Sequence, residues 1–135
     1  MTTLDSHLEI TKQSAAQRQI DAAIAHLHKS ELECAISLAT AAEGLLPDTD
    51  SGRIFAYLRE HPLSKKVDFN NTINWLKHSA PPDAAIIYEF EAAVVIARAM
   101  TKFAAAYTEV PSEWYDFLSW GVTRGHWPTL PSMRT

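Results

Sequence analysis

The run IIYEFEAAVVIARAMTKFAAAY, residues 86–107, is apolar on most sides of any helix drawn through it. A helix with a narrow apolar stripe lies against a core, whereas one that is apolar nearly all round must itself be surrounded. The rest of the chain therefore has to supply covering helices. The run predicts a bundle with one long helix, about 84–107 and capped by Asp83, at its centre.

The covering helices are marked by punctuation. Ser14 and Gln17 form a capping-box pair ahead of Ile20, Ala23, Ile24 and Leu27, which predicts a helix over about 14–29. Ser30 and Glu33 form a second pair, opening a helix over about 30–46 that carries Leu32, Ile36, Ala39, Thr40 and Glu43 along one side and stops at Gly44 and Pro47. The short junction between them predicts a hairpin. A shorter helix follows over about 53–60, ended by Pro62; another over about 68–78, with Asp68 as N-cap and Pro81–Pro82 behind it; and a last one from Pro111–Ser112 to about Thr123, ended by Gly125. No strand-like alternation and no repeat stands out. The expected fold is all-α: a single-domain antiparallel bundle of about six helices spanning 1–135, with 1–13 and 126–135 as irregular tails.

With 135 residues, 47% hydrophobic and 21% charged, the chain has the material for one well-filled core. Twelve cationic residues against sixteen acidic ones leave a net charge of −4. Non-specific DNA binding, which depends on clustered cations, is not expected. No run of about eighteen apolar residues occurs, so no membrane span is expected. The opening MTTLDSHLEI has neither the basic nor the apolar region of a signal peptide, and a cytoplasmic location follows as the default. Cys34 is the one cysteine; it lies in an apolar helical pattern and is expected to be a buried small side chain.

The segment DFNNTINWLKHS is the most informative for chemistry. At about 100° per residue, Phe69, Ile73 and Leu76 share the buried face. Asn70, Asn74, Lys77 and His78 form a polar stripe beside it. Two amides, an ammonium and an imidazole offer hydrogen bonds to a phosphate, a ribose or a base edge; the alternative is a solvated face with cations near the helix C-terminus. Glu43 lies on an otherwise apolar side and needs a partner. It serves either as an acid, as a structural hydrogen bond to another helix, or to orient the stripe. His26 and His28 diverge around their helix, and no H-x3-H, HExxH or Cys/His cluster occurs, so no metal site is expected. His7, His61 and His126 are expected at the surface or in turns. In EWYDFLSWGVTRGHW, the aromatics Trp114, Tyr115, Trp120 and Trp127 either seal one end of the bundle, dock on a partner or second copy, or stack on bases.

The stretches QIDAAIAHLHKSELECAISLATAAEGLL, NTINWLKHS and VPSEWYDFLSW, with the long apolar helix between the last two, resemble a group of small prokaryotic proteins that in turn resembles the HEPN superfamily (higher eukaryotes and prokaryotes nucleotide-binding domains). The resemblance runs from about Gln17 to Trp120. It implies a helical bundle that pairs as a homodimer and, in many members, a metal-independent ribonuclease of toxin–antitoxin or defence systems. The motif there is an Arg, commonly followed by a polar residue, then a His after four to six intervening positions. Asn74 and His78 match the polar residue and the His, but the Arg position is Ile73, and Thr72 and Asn71 behind it are not cations either.

The expected function is therefore a non-catalytic binding module for a partner protein or a nucleotide or RNA fragment, without a cofactor. A ribonuclease using His78 and a purely structural homo-oligomer are the alternatives. Without the Arg, little or no ribonuclease activity is expected.

Overall fold

The computed structural model describes residues 5–48 and 61–128. Among these the protein is all-helical: α1 (Lys12–His28), α2 (Leu32–Gly44), a 3-10 turn (Pro62–Lys65), α3 (Phe69–Lys77), α4 (Glu89–Ala106) and α5 (Glu113–Thr123). The helix expected over 53–60 lies outside the described residues.

Helix α4 is the centre, as its composition requires. Its buried residues run Phe90–Ala97 without a break, then Ala99, Met100, Phe103 and Ala104. Against it pack α1, α2 and α5, and α1 and α2 pack on each other. Small side chains let the hairpin close tightly: Ala16 and Ala23 on α1 and Ala35, Ala39 and Ala42 on α2 are all 0% exposed.

Three helix starts differ from expectation. Helix α1 is capped by Thr11, whose hydroxyl accepts from Ser14 N–H (3.0 Å); Ser14 is a first-turn residue, and the helix begins inside the segment expected to be an irregular tail. Ser30 does not cap α2 because it is needed to end α1. It takes the left-handed conformation (φ 62°), its N–H donates to Leu27 O (2.9 Å), and Glu31 N–H donates to His26 O (2.9 Å). These two bonds are a Schellman reversal, with serine at the position that glycine usually holds. Asp83 does not cap α4, which starts five residues beyond the expected 84. The carboxylate of Glu91, one turn in, reaches back to Tyr88 N–H (2.9 Å) and sets the start there. The other Glu91 oxygen accepts from Thr72 Oγ1 (2.6 Å), tying α3 to α4 through a carboxylate only 2% exposed.

Asp68 caps α3 as expected, accepting from Asn71 N–H (3.1 Å). Helix α5 ends in a second Schellman reversal: Gly125 (φ 80°) donates to Val122 O (3.0 Å) and His126 to Gly121 O (2.8 Å). Beyond it the backbone is irregular but not a loose tail, for His126 and Trp127 are 8% and 5% exposed. No helix among the described residues is long and apolar enough to cross a membrane.

Candidate functional site

The stripe Asn70, Asn74, Lys77 and His78 is exposed at every position. His78 closes α3 in an extended conformation (φ −129°, ψ 154°), so it leaves the helical spacing that placed it beside Asn74. Ile73, in the place of the missing Arg, is buried. Glu43 does not reach this stripe. It pairs with two cations of α4, accepting from Arg98 Nε (2.7 Å) and lying 3.2 Å from Lys102 Nζ, which makes it a tie between α2 and α4.

The aromatics divide. Trp114 is 0% exposed and donates through Nε1 to Asp21 on α1 (2.7 Å); Trp127 lies over Gly121 and donates to Leu118 O (2.9 Å). Both seal the bundle. Trp120 is half-buried, stacked against Phe117 with His28 edge-on, and Tyr115 is exposed. Cys34 is half-buried rather than buried, in a shallow apolar groove with His26, Ser37, Leu38 and Leu76. Burial, then Glu33 and Glu31, raises its pKa, so it is not an activated thiol.

The structure assembles a different constellation from residues far apart in sequence. The reversal at Gly125 carries His126 and Trp127 back over the last turn of α5. There they meet the first turn of α4 and the turn that leads into Pro62–Lys65. Glu89, at the start of α4, accepts from Arg124 through Nε (3.2 Å) and Nη2 (2.9 and 3.1 Å) and from His126 Nε2 (2.9 Å). A carboxylate in a first helical turn is also favoured by the helix dipole. His61 caps its own turn, Nδ1 accepting from Leu63 N–H (3.1 Å), and stacks on Phe90 with ring centres 3.8 Å apart. The rings of His61 and His126 are 6.5 Å apart. Both line a cavity of about 340 Å³ with Pro62, Val122, Gly125, Trp127 and Pro128.

A buried imidazole, a second imidazole near it and apolar walls are the features of a small-ligand site. Among the described residues that line the cavity, the polar side chains are the two imidazoles and the Trp127 indole. Among the described residues no group of three or more His, Cys, Asp or Glu side chains could hold a metal ion. His126 was expected in a turn or at the surface; it follows a turn, but packs inward. The legible signal was Gly125 after an amphipathic helix, which marks a reversal that returns the next residues onto the last turn.

Burial lowers the pKa of His126, opposed in part by Glu89 and reinforced by His61 and Arg124. The folded protein therefore binds fewer protons than the unfolded chain below the ordinary value of 6.5. Stability is expected to be full above that value and to fall as pH drops below it. Urea midpoints at about pH 7.5 and about pH 5.5 check this: the wild-type midpoint should drop more than that of His126→Gln.

Compared with models of protein families, with curated proteins and with solved structures, the chain matches none.

Proposed function

We propose that the protein is a non-catalytic binding module whose ligand occupies the cavity between His61, His126 and Trp127. The observation that supports this most is His126 itself. It is 8% exposed, is held by Glu89 through one ring nitrogen, and lines a cavity with the other ring nitrogen uncommitted among the described residues. The ring is thus fixed by one nitrogen, while the other is not sealed from solvent and is available to a ligand. The cavity is also more enclosed than the exposed stripe on α3, which in this reading is an outlying contact for a larger partner or RNA.

The HEPN-like relationship and the homodimer belong to the same proposal. Support for the first is the all-helical order with a central apolar helix. For the second it is the exposed apolar surface of Ile86 (80%) and Tyr115 (44%). Ribonuclease chemistry has weaker support, since the guanidinium that the described residues place beside the imidazoles, Arg124, is engaged by Glu89 on three hydrogen bonds.

The test is a titration of the purified protein with small amides, carboxylates and inorganic phosphate. The ring resonances of His61 and His126 would be followed by NMR, and mass by light scattering. At least one class should move both rings. Silence from all three removes the cavity as a ligand site. Chelator-resistant RNA cleavage that vanishes in His78→Ala or His126→Ala would restore the enzyme, and a monomer at micromolar concentration would remove the dimer.

A further inference from the structure

We infer that the cavity recognises a neutral planar group with a hydrogen-bond donor beside an acceptor, the edge of a lactam or carboxamide, and not an anion. The inference rests on the cavity being the ligand site and names what that site takes.

Ionised Glu89 only accepts, so the nitrogen facing it, Nε2 of His126, carries the proton. In the neutral ring this leaves Nδ1 a bare acceptor. For His61 the commitment is reversed. Its Nδ1 accepts from Leu63 N–H, so the proton of the neutral ring is on Nε2, a donor. The protein thus fixes one acceptor and one donor on two rings whose centres are 6.5 Å apart and which line the same cavity. A cis amide offers the matching pair, N–H to His126 and C=O to His61. The remaining lining, Pro62, Val122, Trp127 and Pro128 with Gly125, suits the uncharged body of such a ligand.

An anion meets the opposite setting. It needs donors only, and His126 provides a second one only when protonated. Among the described residues, the charged and titratable groups that face His126 are Glu89 from α4, Arg124 from the end of α5 and His61 from the turn. Arg124 is already paired with Glu89, so a bare anion finds no unpaired cation among the three. Burial of His126 also favours its neutral form.

The two ligand classes respond to pH with opposite signs, which makes the test sharp. Calorimetric titrations would use 2-piperidone (a cyclic amide), propionamide (an open one), δ-valerolactone (the ring without its N–H), acetate and inorganic phosphate. Each would be run at about pH 7.5 and about pH 5.5. The amides should bind while His126 is neutral and weaken as the pH falls far enough to protonate its acceptor nitrogen. Loss of the N–H in the lactone should weaken binding by about five- to tenfold, the worth of one hydrogen bond. His61→Phe, which retains a ring over Phe90 and removes the donor, should weaken 2-piperidone by a similar factor. Preference between cyclic and open amide tells a ring ligand from a carboxamide side chain, and either supports the inference. Acetate or phosphate binding that tightens at the lower pH, with lactam and lactone alike, overturns it while leaving the cavity as a ligand site. Failure of all five probes to bind removes the cavity reading as well.

Discussion

Glu43→Ala is expected to cost about 3 kcal/mol of folding stability. Glu43 is a single carboxylate between two cations of the central helix, with side chains of Glu43, Arg98 and Lys102 only 10%, 14% and 16% exposed. Removing it leaves both cations partly desolvated. The remaining partner of Lys102 among the described residues, Asp48, is 3.8 Å away and fully exposed, so it compensates little. The cost comes from the charges left behind rather than from the lost attraction. Replacing all three by apolar residues of similar volume should therefore recover most of it. Urea unfolding at constant m-value measures both. A loss below about 1 kcal/mol for Glu43→Ala would place the triad with ordinary surface ion pairs.

Gly121→Ala is the second large effect, about 2–4 kcal/mol, from a single added methyl group. A Cβ there would overlap the indole of Trp127 at Cζ2, Cε2 and Cη2. Trp127 must then leave its place and give up both its burial and its bond to Leu118 O. The backbone itself presents no obstacle, since Gly121 has ordinary helical geometry and alanine is the better helix former. If nothing else changed the substitution would stabilise, so the sign alone is diagnostic. Thermal melts of Gly121→Ala, Trp127→Ala and the double variant check it. The double should cost little more than Trp127→Ala alone, because the clash no longer has a second party.

What was legible in the sequence was whatever depends on neighbours along the chain. Asp68 capping α3 is a bond spanning three residues, and the centrality of α4 follows from its own composition. The misplaced starts fail for one shared reason: a residue suited to one local task was claimed by another. Ser30 has the chemistry of an N-cap, but the chain had to reverse there, and the left-handed turn took it. Asp83 follows two prolines and suits a cap equally well, but Glu91 reaches back only as far as Tyr88 and fixes the start. The candidate site was the least legible part. Glu89, His61 and His126 carry no mutual spacing and are joined only by packing. The polar stripe on α3 was found because it lies within one helix, which is also why it says little about where the other helices converge.

The burial of α4 on every side over Phe90–Ala97 also bears on the order in which the chain can become a protein. A ribosome releases α1 and α2 before α4. Their facing surfaces, Ala16, Ile20, Ala23 and Leu27 against Ala35, Ile36, Ala39 and Ala42, can meet as soon as both helices are out, but the hairpin's remaining apolar side waits for a partner still inside the exit tunnel. Only when residues as far as Phe103 have emerged does that partner exist, and its first turns arrive needing cover on every side. The nascent hairpin is thus half of a mould, open to solvent and to other chains until its core is delivered. The bond from Trp114 to Asp21 then joins α5, made after α4, back to α1.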